Sequence, residues 1–291
     1  MSTLKQLRLR ISGVKSTQKI TKTMKMVAAS KLLKAQDQKE QAKPYADKMY
    51  NVISQLSASS DDNSSTLLTG NGKNNIHLLV AVNSDRGLCG GFNSSIARNI
   101  KKHIKILEAN DKKYKILCLG KKVFDQIKLP YQDSVIEIMP GFSNQKLSYI
   151  DAHNLAAKII SMFDKGEFDV CTFIYNEFKN ALKQNISARK LIPLDKELSS
   201  QVKDKQHHLY EYEPSEETLL QQILPLNLAV QIYYILLEST ASEHGARMTA
   251  MDAATNNAND MIARLTLLYN RSRQAAITRE LIEIISSAEV I

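Results

Sequence analysis

A glycine-rich turn carries the strongest signal for chemistry in the sequence, SDRGLCGGFN at 84–93. It follows the apolar run IHLLVAV and precedes a segment with helical character, a setting in which backbone N–H groups at a helix start can bind phosphate. However, the spacing of Gly87, Gly90 and Gly91 matches neither the dinucleotide-binding pattern nor the P-loop pattern, and no lysine follows these glycines. The turn is therefore a weak candidate for a phosphate site.

The residues around the turn favour a structural role. The second apolar run ends at Gly120 and is followed by Lys121 and Lys122, where a dinucleotide site would have an acidic residue for the ribose hydroxyl. Lysines at this place remain compatible with a 2′-phosphate. We predict that the glycines permit a tight corner between strand and helix. Asp85 and Arg86 are expected to make local turn contacts or interface contacts.

Histidines and cysteines do not form a second reactive constellation. His207 and His208 lie in a charged segment without cysteine or spaced carboxylate partners, so we interpret them as surface residues. The cysteines are odd in number and far apart, which is typical of a protein from a reducing compartment. They are Cys89, Cys118 and Cys171. We expect no catalytic residue, no metal and no cofactor.

Proline positions and apolar periodicity indicate how the chain is organised. The first 56 residues contain no proline before Pro44, and residues 226–291 contain none, as expected for two long helices. Between them, the apolar runs IHLLVAV, YKILCLG, SVIEIM and FDVCTFIY alternate with helix-like stretches, which predicts a mostly parallel sheet covered by helices. No apolar run is long enough to span a bilayer. The predicted segments are a helix at 1–56, a linker at 57–75, a central Rossmann-like α/β domain at 76–195, a loop at 196–214 and a second helix at 215–291.

Both long helices carry a heptad pattern. On the second helix, alternating steps of four and three connect mostly apolar or small residues for more than five heptads, which predicts a coiled-coil seam. These are Leu237, Ala241, His244, Met248, Met251, Thr255, Ala258, Ile262, Leu265, Tyr269, Ser272 and Ala276. The first helix has the same spacing and is the natural partner. Its seam runs through Leu4, Leu7, Ile11, Val14, Gln18, Thr21, Lys25, Ala28, Leu32 and Ala35.

A second apolar stripe lies on the first helix. At about 100° per residue, Ile20, Met24 and Val27 fall roughly opposite the seam. One partner helix cannot cover both faces. The stripe therefore packs either against another part of this chain or against a second protein that surrounds the coil.

The net charge of +9 comes from the start of the chain. Residues 1–43 hold eleven lysines or arginines against two acidic residues, whereas 44–291 hold 28 of each sign. Such asymmetry indicates a surface for nucleic acid, for a membrane surface or for an acidic protein face, or else a solvated helix face.

Three separate motifs resemble the gamma subunit of F-type ATP synthase. The first helix contains RISGVKSTQKITKTMKMVAASKLLKAQ at 10–36. The second contains SEHGARMTAMDAATNNANDMI at 242–262, followed by LYNRSRQAAITRELIEI at 268–284. The turn at 84–93 matches the central-domain motif of that family. The resemblance covers essentially the whole chain in order.

This resemblance implies a central rotor shaft. In the family, the terminal helices pair as an antiparallel coiled coil inside a ring of three alpha and three beta subunits, while the α/β domain lies outside the ring. The implied partners are alpha, beta, epsilon and the c-ring. Catalysis belongs to beta, so the chain is expected to be a non-catalytic subunit. The implied location is peripheral, on the cytoplasmic face of a bacterial inner membrane.

The resemblance also assigns contact residues by motif position. Met24 is expected near a mobile acidic segment of beta, and Arg247, Gln274 and Thr278 are expected at the catch loop of beta. Within LYEYEP at 209–214, Tyr210 and Glu213 are candidates for contacts with the c-ring and epsilon.

Two other functions remain as alternatives. A nucleotide-binding α/β enzyme would use the turn at 84–93 to hold phosphate. A nucleic-acid-binding protein would use the basic first helix, although aromatic residues are not interleaved with its lysines and the second apolar stripe disfavours this function.

Overall fold

A computed structural model describes residues 4–59, 66–142, 147–180, 184–193 and 216–288. The chain packs as two compact units, one formed by Met1–Ala29 with Arg247–Ile291 and the other by Ser30–Ala246. The helices are α1 (Leu4–Ser59), α2 (Thr66–Thr69), α3 (Phe92–Ala109), α4 (Phe124–Tyr131), α5 (Tyr149–Asp164) and α6 (Glu216–Ala288). The strands are β1 (Ile76–Val82), β2 (Lys113–Leu119), β3 (Val135–Met139), β4 (Val170–Phe178) and β5 (Gln184–Ile192).

The second unit contains a five-stranded sheet in the order β3-β2-β1-β4-β5. The first four strands are the four predicted apolar runs, and they pair in parallel. Helices α3, α4 and α5 follow the strands as the alternating pattern predicted. The mixed α/β class is therefore confirmed.

Helices cover both faces of this sheet. In β1, Leu78, Val80 and Val82 point into a core formed with α5 and the first part of α6, whereas Leu79 and Ala81 point into a core formed with α3 and α4. All five side chains are buried. A strand that is buried on both faces reads as a continuous apolar run, which explains why β1 was evident from sequence.

The strand β5 was not predicted. It pairs antiparallel with β4 at one edge of the sheet, and most of its side chains are only half-buried. Its sequence QNISARKLI is correspondingly polar. The short helix α2 also lies inside the stretch that was predicted to be a linker.

Both long helices continue through a proline, Pro44 in α1 and Pro225 in α6. An internal proline removes a helical hydrogen bond and costs roughly 3 kcal/mol. Packing beside the prolines offsets this cost, because Ile53, which follows Pro44 on α1, packs in one cluster with Leu220 and Leu224, which precede Pro225 on α6.

The helix α6 is apolar as well as long. Within the described residues, Thr218–Ser286 is the one segment with the length and composition to cross a bilayer, although the sequence predicted none. More than half of its most apolar window is buried inside the protein, 56%. A core helix passes the same composition test, and the buried contacts of Leu228, Ile232 and Ile235 with the sheet assign this part of α6 to the core.

Candidate partner-binding surfaces

Side-chain pairs join α1 to α6 within the first unit. The pairs are Gln18 with Asn259, Thr21 with Thr255, and Lys25 with Asp252. The Oγ1 atoms of the threonine pair lie 2.8 Å apart, and the Nζ–Oδ1 distance of the ion pair is 2.5 Å. Because the partner on α6 moves back along the chain as the partner on α1 moves forward, the two helices run antiparallel.

Within the described residues of the first unit, every buried residue belongs to the predicted seam, and the other seam residues of this unit are half-buried. The buried ones are Leu7, Thr21 and Ala28 on α1 and Met251, Ala258 and Leu265 on α6, all less than 9% exposed. Several are small, so the helix axes approach closely while little apolar area is removed from water, at roughly 25 cal/mol per Å². The seam therefore brings the helices close together but contributes little stability.

The outer face of α1 carries unpartnered apolar side chains. Ile20 and Val27 are 60% and 53% exposed, and Met24 between them is half-buried. The sequence therefore placed this stripe correctly away from the seam. Leu9 and Met26 are exposed too, so the apolar surface is wider than the predicted stripe.

The last part of α6 exposes an even larger apolar surface, which the sequence analysis did not single out. Its residues are 45–72% exposed. They are Met261, Leu267, Leu268, Ile277, Leu281, Ile282, Ile284 and Ile285. The sequence did contain a signal for this surface, because this part of α6 has more apolar residues than a coiled-coil seam requires. An exposed apolar helix surface of this extent is typical of a site that binds a protein or a membrane.

The predicted contact residues fall into two groups. Met24 and Arg247 are half-buried, whereas Gln274 and Thr278 are exposed. The Thr278 hydroxyl donates to the carbonyl oxygen of Gln274 at 2.9 Å, one turn earlier. Arg247 and Gln274 are about 40 Å apart along α6 at 1.5 Å per residue. These residues therefore belong to two levels of the coil and cannot form one site.

The remaining predicted candidates lie outside the described residues. These are Tyr210 and Glu213, together with the histidines His207 and His208.

The glycine-rich turn is held by its own side chains. The Ser84 hydroxyl donates to the carbonyl oxygen of Arg86 at 2.6 Å and accepts from the Asn93 amide at 2.8 Å. Asn93 Oδ1 in turn accepts from the backbone N–H of Ser84 at 3.1 Å. Gly90 has a φ of +56°, a conformation in which glycine is favoured. The buried side chains of Ser84 and Asn93 therefore satisfy one another, as a structural corner requires.

Neighbouring loops close over the same edge of the sheet. Asp85 Oδ2 accepts from the backbone N–H of Gly141 at 2.9 Å, a contact with the segment that follows β3 and not with the turn itself. Gly120 has a φ of +113°, and a Cβ there would lie 2.5 Å from the carbonyl oxygen of Asn83. Backbone thus occupies the space beside the end of β1.

The cysteines of the central sheet are unreactive. Burial raises the pKa of the Cys118 thiol to about 12, and it also raises the pKa of the Cys171 thiol. The thiolate, which is the nucleophile and the metal ligand, is therefore scarce at neutral pH. Among the described residues, no group of three or more histidine, cysteine, aspartate or glutamate side chains could hold a metal ion.

Comparison with known proteins supports the resemblance to a gamma subunit over essentially the whole length of the chain. A family described as ATP synthase matches residues 3–291. The chain is 47% identical over 291 residues to the ATP synthase gamma chain of Pelagibacter ubique (strain HTCC1062), with 99% of each chain covered. It is 48% identical over 303 residues to that of Rhodospirillum rubrum, with all of both chains covered.

Solved structures share the fold. A chain from the central stalk and c-ring of the Tetrahymena thermophila mitochondrial ATP synthase is 29% identical, with a TM-score of 0.61, covering 81% of this chain and 99% of that one. A chain from the Euglena gracilis mitochondrial enzyme, in rotational state 3, has a TM-score of 0.68 at 20% identity and covers 99% and 94%. The chain therefore belongs to the family of ATP synthase gamma chains, which are subunits of a membrane-associated complex.

Proposed function

We propose that the chain is the rotating central shaft of an F-type ATP synthase. In this proposal the coil of α1 and α6 turns inside a ring of alpha and beta subunits, and the sheet domain binds the c-ring and epsilon. Proton flow through the membrane sector drives the rotation. The observation that carries the proposal is the apolar surface of the coil, with exposed residues on the outer face of α1 and along the last part of α6. A surrounding ring would cover both.

Rotation can drive catalysis only if the shaft contacts the three beta subunits differently. A ligand or a surface shifts a conformational equilibrium by its differential affinity for the two states, so identical contacts would shift nothing. Two unlike helices supply the required inequality, because α1 presents the basic stretch and α6 presents the apolar one. The active sites belong to beta in this proposal, and the chain itself is non-catalytic.

The contact residues are proposals of the same kind. Met24 contacts a mobile acidic segment of beta, and Gln274 and Thr278 contact the catch loop of beta. Arg247, predicted at the same loop, lies at the other level of the coil and contacts a different part of beta. Tyr210 and Glu213 contact the c-ring and epsilon at the foot. The complex is placed on the cytoplasmic face of a bacterial inner membrane, to which the chain binds only through the membrane sector.

The test combines copurification with one charge substitution. The chain should copurify with alpha and beta subunits, and Met24→Lys should lower the number of protons pumped per ATP hydrolysed, because an added cation strengthens contact with an acidic segment. Met24→Leu is the control, since it keeps an apolar side chain of similar size at the same position without the added charge. Failure to copurify would overturn the shaft, whereas equal coupling in both variants would overturn only the assignment of Met24.

A further inference from the structure

A buried ion pair joins the two long helices within the second unit. Lys39 Nζ of α1 lies 2.6 Å from Glu238 Oε1 of α6. The two side chains are 18% and 5% exposed, whereas the side chains of the other described ion pairs are 35–51% exposed. Exposed pairs contribute little because solvent and salt screen them. This pair is therefore different in kind from the others in the described residues.

The same lysine also reaches the sheet. Its Nζ donates to the carbonyl oxygen of Phe178, the last residue of β4, at 3.5 Å. It also lies 5.8 Å from the centre of the Tyr234 ring, within the range of a cation–π contact. One ammonium group thus links α1, α6 and β4.

Tyr234 completes the arrangement from the side of α6. It lies one helical turn before Glu238 on the same helix. Burial and the nearby Glu238 charge raise the pKa of Tyr234, so the phenol stays protonated beside the carboxylate. The Glu238 carboxylate therefore has the Lys39 ammonium from α1 and the neutral Tyr234 side chain from α6 as neighbours.

Lys39 occupies a seam position. Continuing the alternating steps of the first helix beyond Ala35 gives positions 39, 42 and 46, and the residues there are Lys39, Ala42 and Ala46. Ala35 and Ala46 are buried and Ala42 packs against the core. Alanine side chains fit close helices but oppose axial sliding only weakly, because they interlock little. A single polar residue at a seam position is the device by which coiled coils specify register.

We propose that Lys39 and Glu238 act as a clamp that fixes the axial register of α1 against α6 and β4, so that torque applied to the sheet domain passes to both helices together. This inference rests on the shaft function proposed above. Both residues are positioning residues, since they act through the helices and touch no nucleotide.

The test uses the assembled complex in inverted membrane vesicles. Lys39→Met keeps the length of the side chain and removes its charge, and Glu238→Gln removes the other charge while keeping the size of the side chain. We expect each variant to hydrolyse ATP normally without a proton gradient, but to sustain a maximal gradient lower by roughly twofold, because removing one partner of a buried pair weakens the clamp under load. The exchanged pair, Lys39→Glu with Glu238→Lys, should recover part of the loss.

The control is Lys158→Met, which breaks the more exposed ion pair of Lys158 with Glu137 between α5 and β3. A clamp with a purely structural role would lower the yield of complex and leave the gradient of the surviving complexes unchanged. Gradients equal to the wild type in both single variants would therefore overturn the inference, and so would failure of every variant to assemble. If wild-type vesicles pump no protons, the shaft function fails instead.

Discussion

At the scale of single residues, Asp169 shows how a buried charge is stabilised where β1 begins. The residue is 5% exposed. Its carboxylate accepts from the Asn71 amide at 2.6 Å and from the backbone N–H groups of Asn75 and Ile76 at 2.8 and 3.0 Å. Burial alone would raise the pKa of Asp169, but these hydrogen bonds and the nearby Lys73 outweigh it and lower the pKa. Asp169 therefore stabilises the fold in its charged form.

This stabilisation should depend on pH. Because the pKa of Asp169 is lower in the folded state, its contribution is present above the unfolded pKa of about 3.9 and is lost as the pH falls through the folded value. We expect Asp169→Asn to lower the free energy of unfolding by about 1–3 kcal/mol at neutral pH. Both backbone N–H groups donate to one carboxylate oxygen, so the asparagine oxygen can replace that oxygen only if its NH₂ group faces the Asn71 amide donor. The difference from wild type should shrink in acid.

Urea unfolding measures this difference. The chain has 11 tyrosines and no tryptophan, so tyrosine fluorescence can follow the transition. Asp133→Asn is the control, because that residue is exposed. A difference between Asp169→Asn and wild type that stays constant from neutral to acid pH would contradict the assignment.

Some contacts at this scale could not have been predicted. The turn at 84–93 was interpreted as a strand-to-helix corner because its glycine spacing matches neither known phosphate pattern. The close approach of Gly120 to Asn83, however, joins the ends of two neighbouring strands, and sequence alone does not give their register. Likewise Lys39 was not singled out, because one lysine in a basic helix carries no visible signal until its partner on α6 is known.

At the scale of elements, the sequence predicted the coiled-coil seam correctly because its apolar residues lie on one face of each helix. The heptad steps identified the seam because its residues are buried on one side only. The edge strand β5 was missed because its sequence, QNISARKLI, contains no apolar run. Most of its side chains are only half-buried, so polar residues are tolerated there.

The positive charge of α3 was also missed. Residues 44–291 contain equal numbers of acidic and basic residues, and these totals conceal a local excess of basic residues on this helix. Its exposed face carries Arg98, Lys101, Lys102 and Lys105, while its other face is buried on the sheet.

The antiparallel register of the coil predicts a specific disulfide. Thr21 and Thr255 have Oγ1 atoms 2.8 Å apart, so cysteines at both positions should form a disulfide within one chain on mild oxidation. The native cysteines are all buried and should not interfere. Non-reducing electrophoresis after proteolysis between the helices would detect the link.

The control for this disulfide pairs Thr21→Cys with Ala253→Cys, since position 253 is exposed and faces away from the seam. Equal crosslinking of both pairs would indicate a mobile coil without fixed register. No crosslink in the Thr21 and Thr255 pair would contradict the antiparallel register itself.

At the scale of the whole molecule, the family followed from long motifs at separate places, whereas the extent of the apolar surface followed only from the structure. A heptad pattern states which residues face a partner helix, but it does not state which other residues are left exposed. Solvent exposure of Ile20, Val27 and the end of α6 shows that much apolar surface remains outside the seam. Such surface in a shaft needs a permanent cover, which the proposed ring would supply.

Hydrogen exchange tests this cover directly. In the isolated chain, the coil buries little apolar area per turn, so its helical amides should open locally and exchange quickly. On assembly with alpha and beta subunits, we expect exchange to slow by about tenfold or more at 20–27 and 277–286, because covering the apolar residues raises the free energy of local opening. The segment 98–106 of α3 should be unchanged, since its inner face is already packed on the sheet. Slowing at 98–106 without slowing at 20–27 would place the partners on the sheet domain and remove the basis for an enclosed shaft.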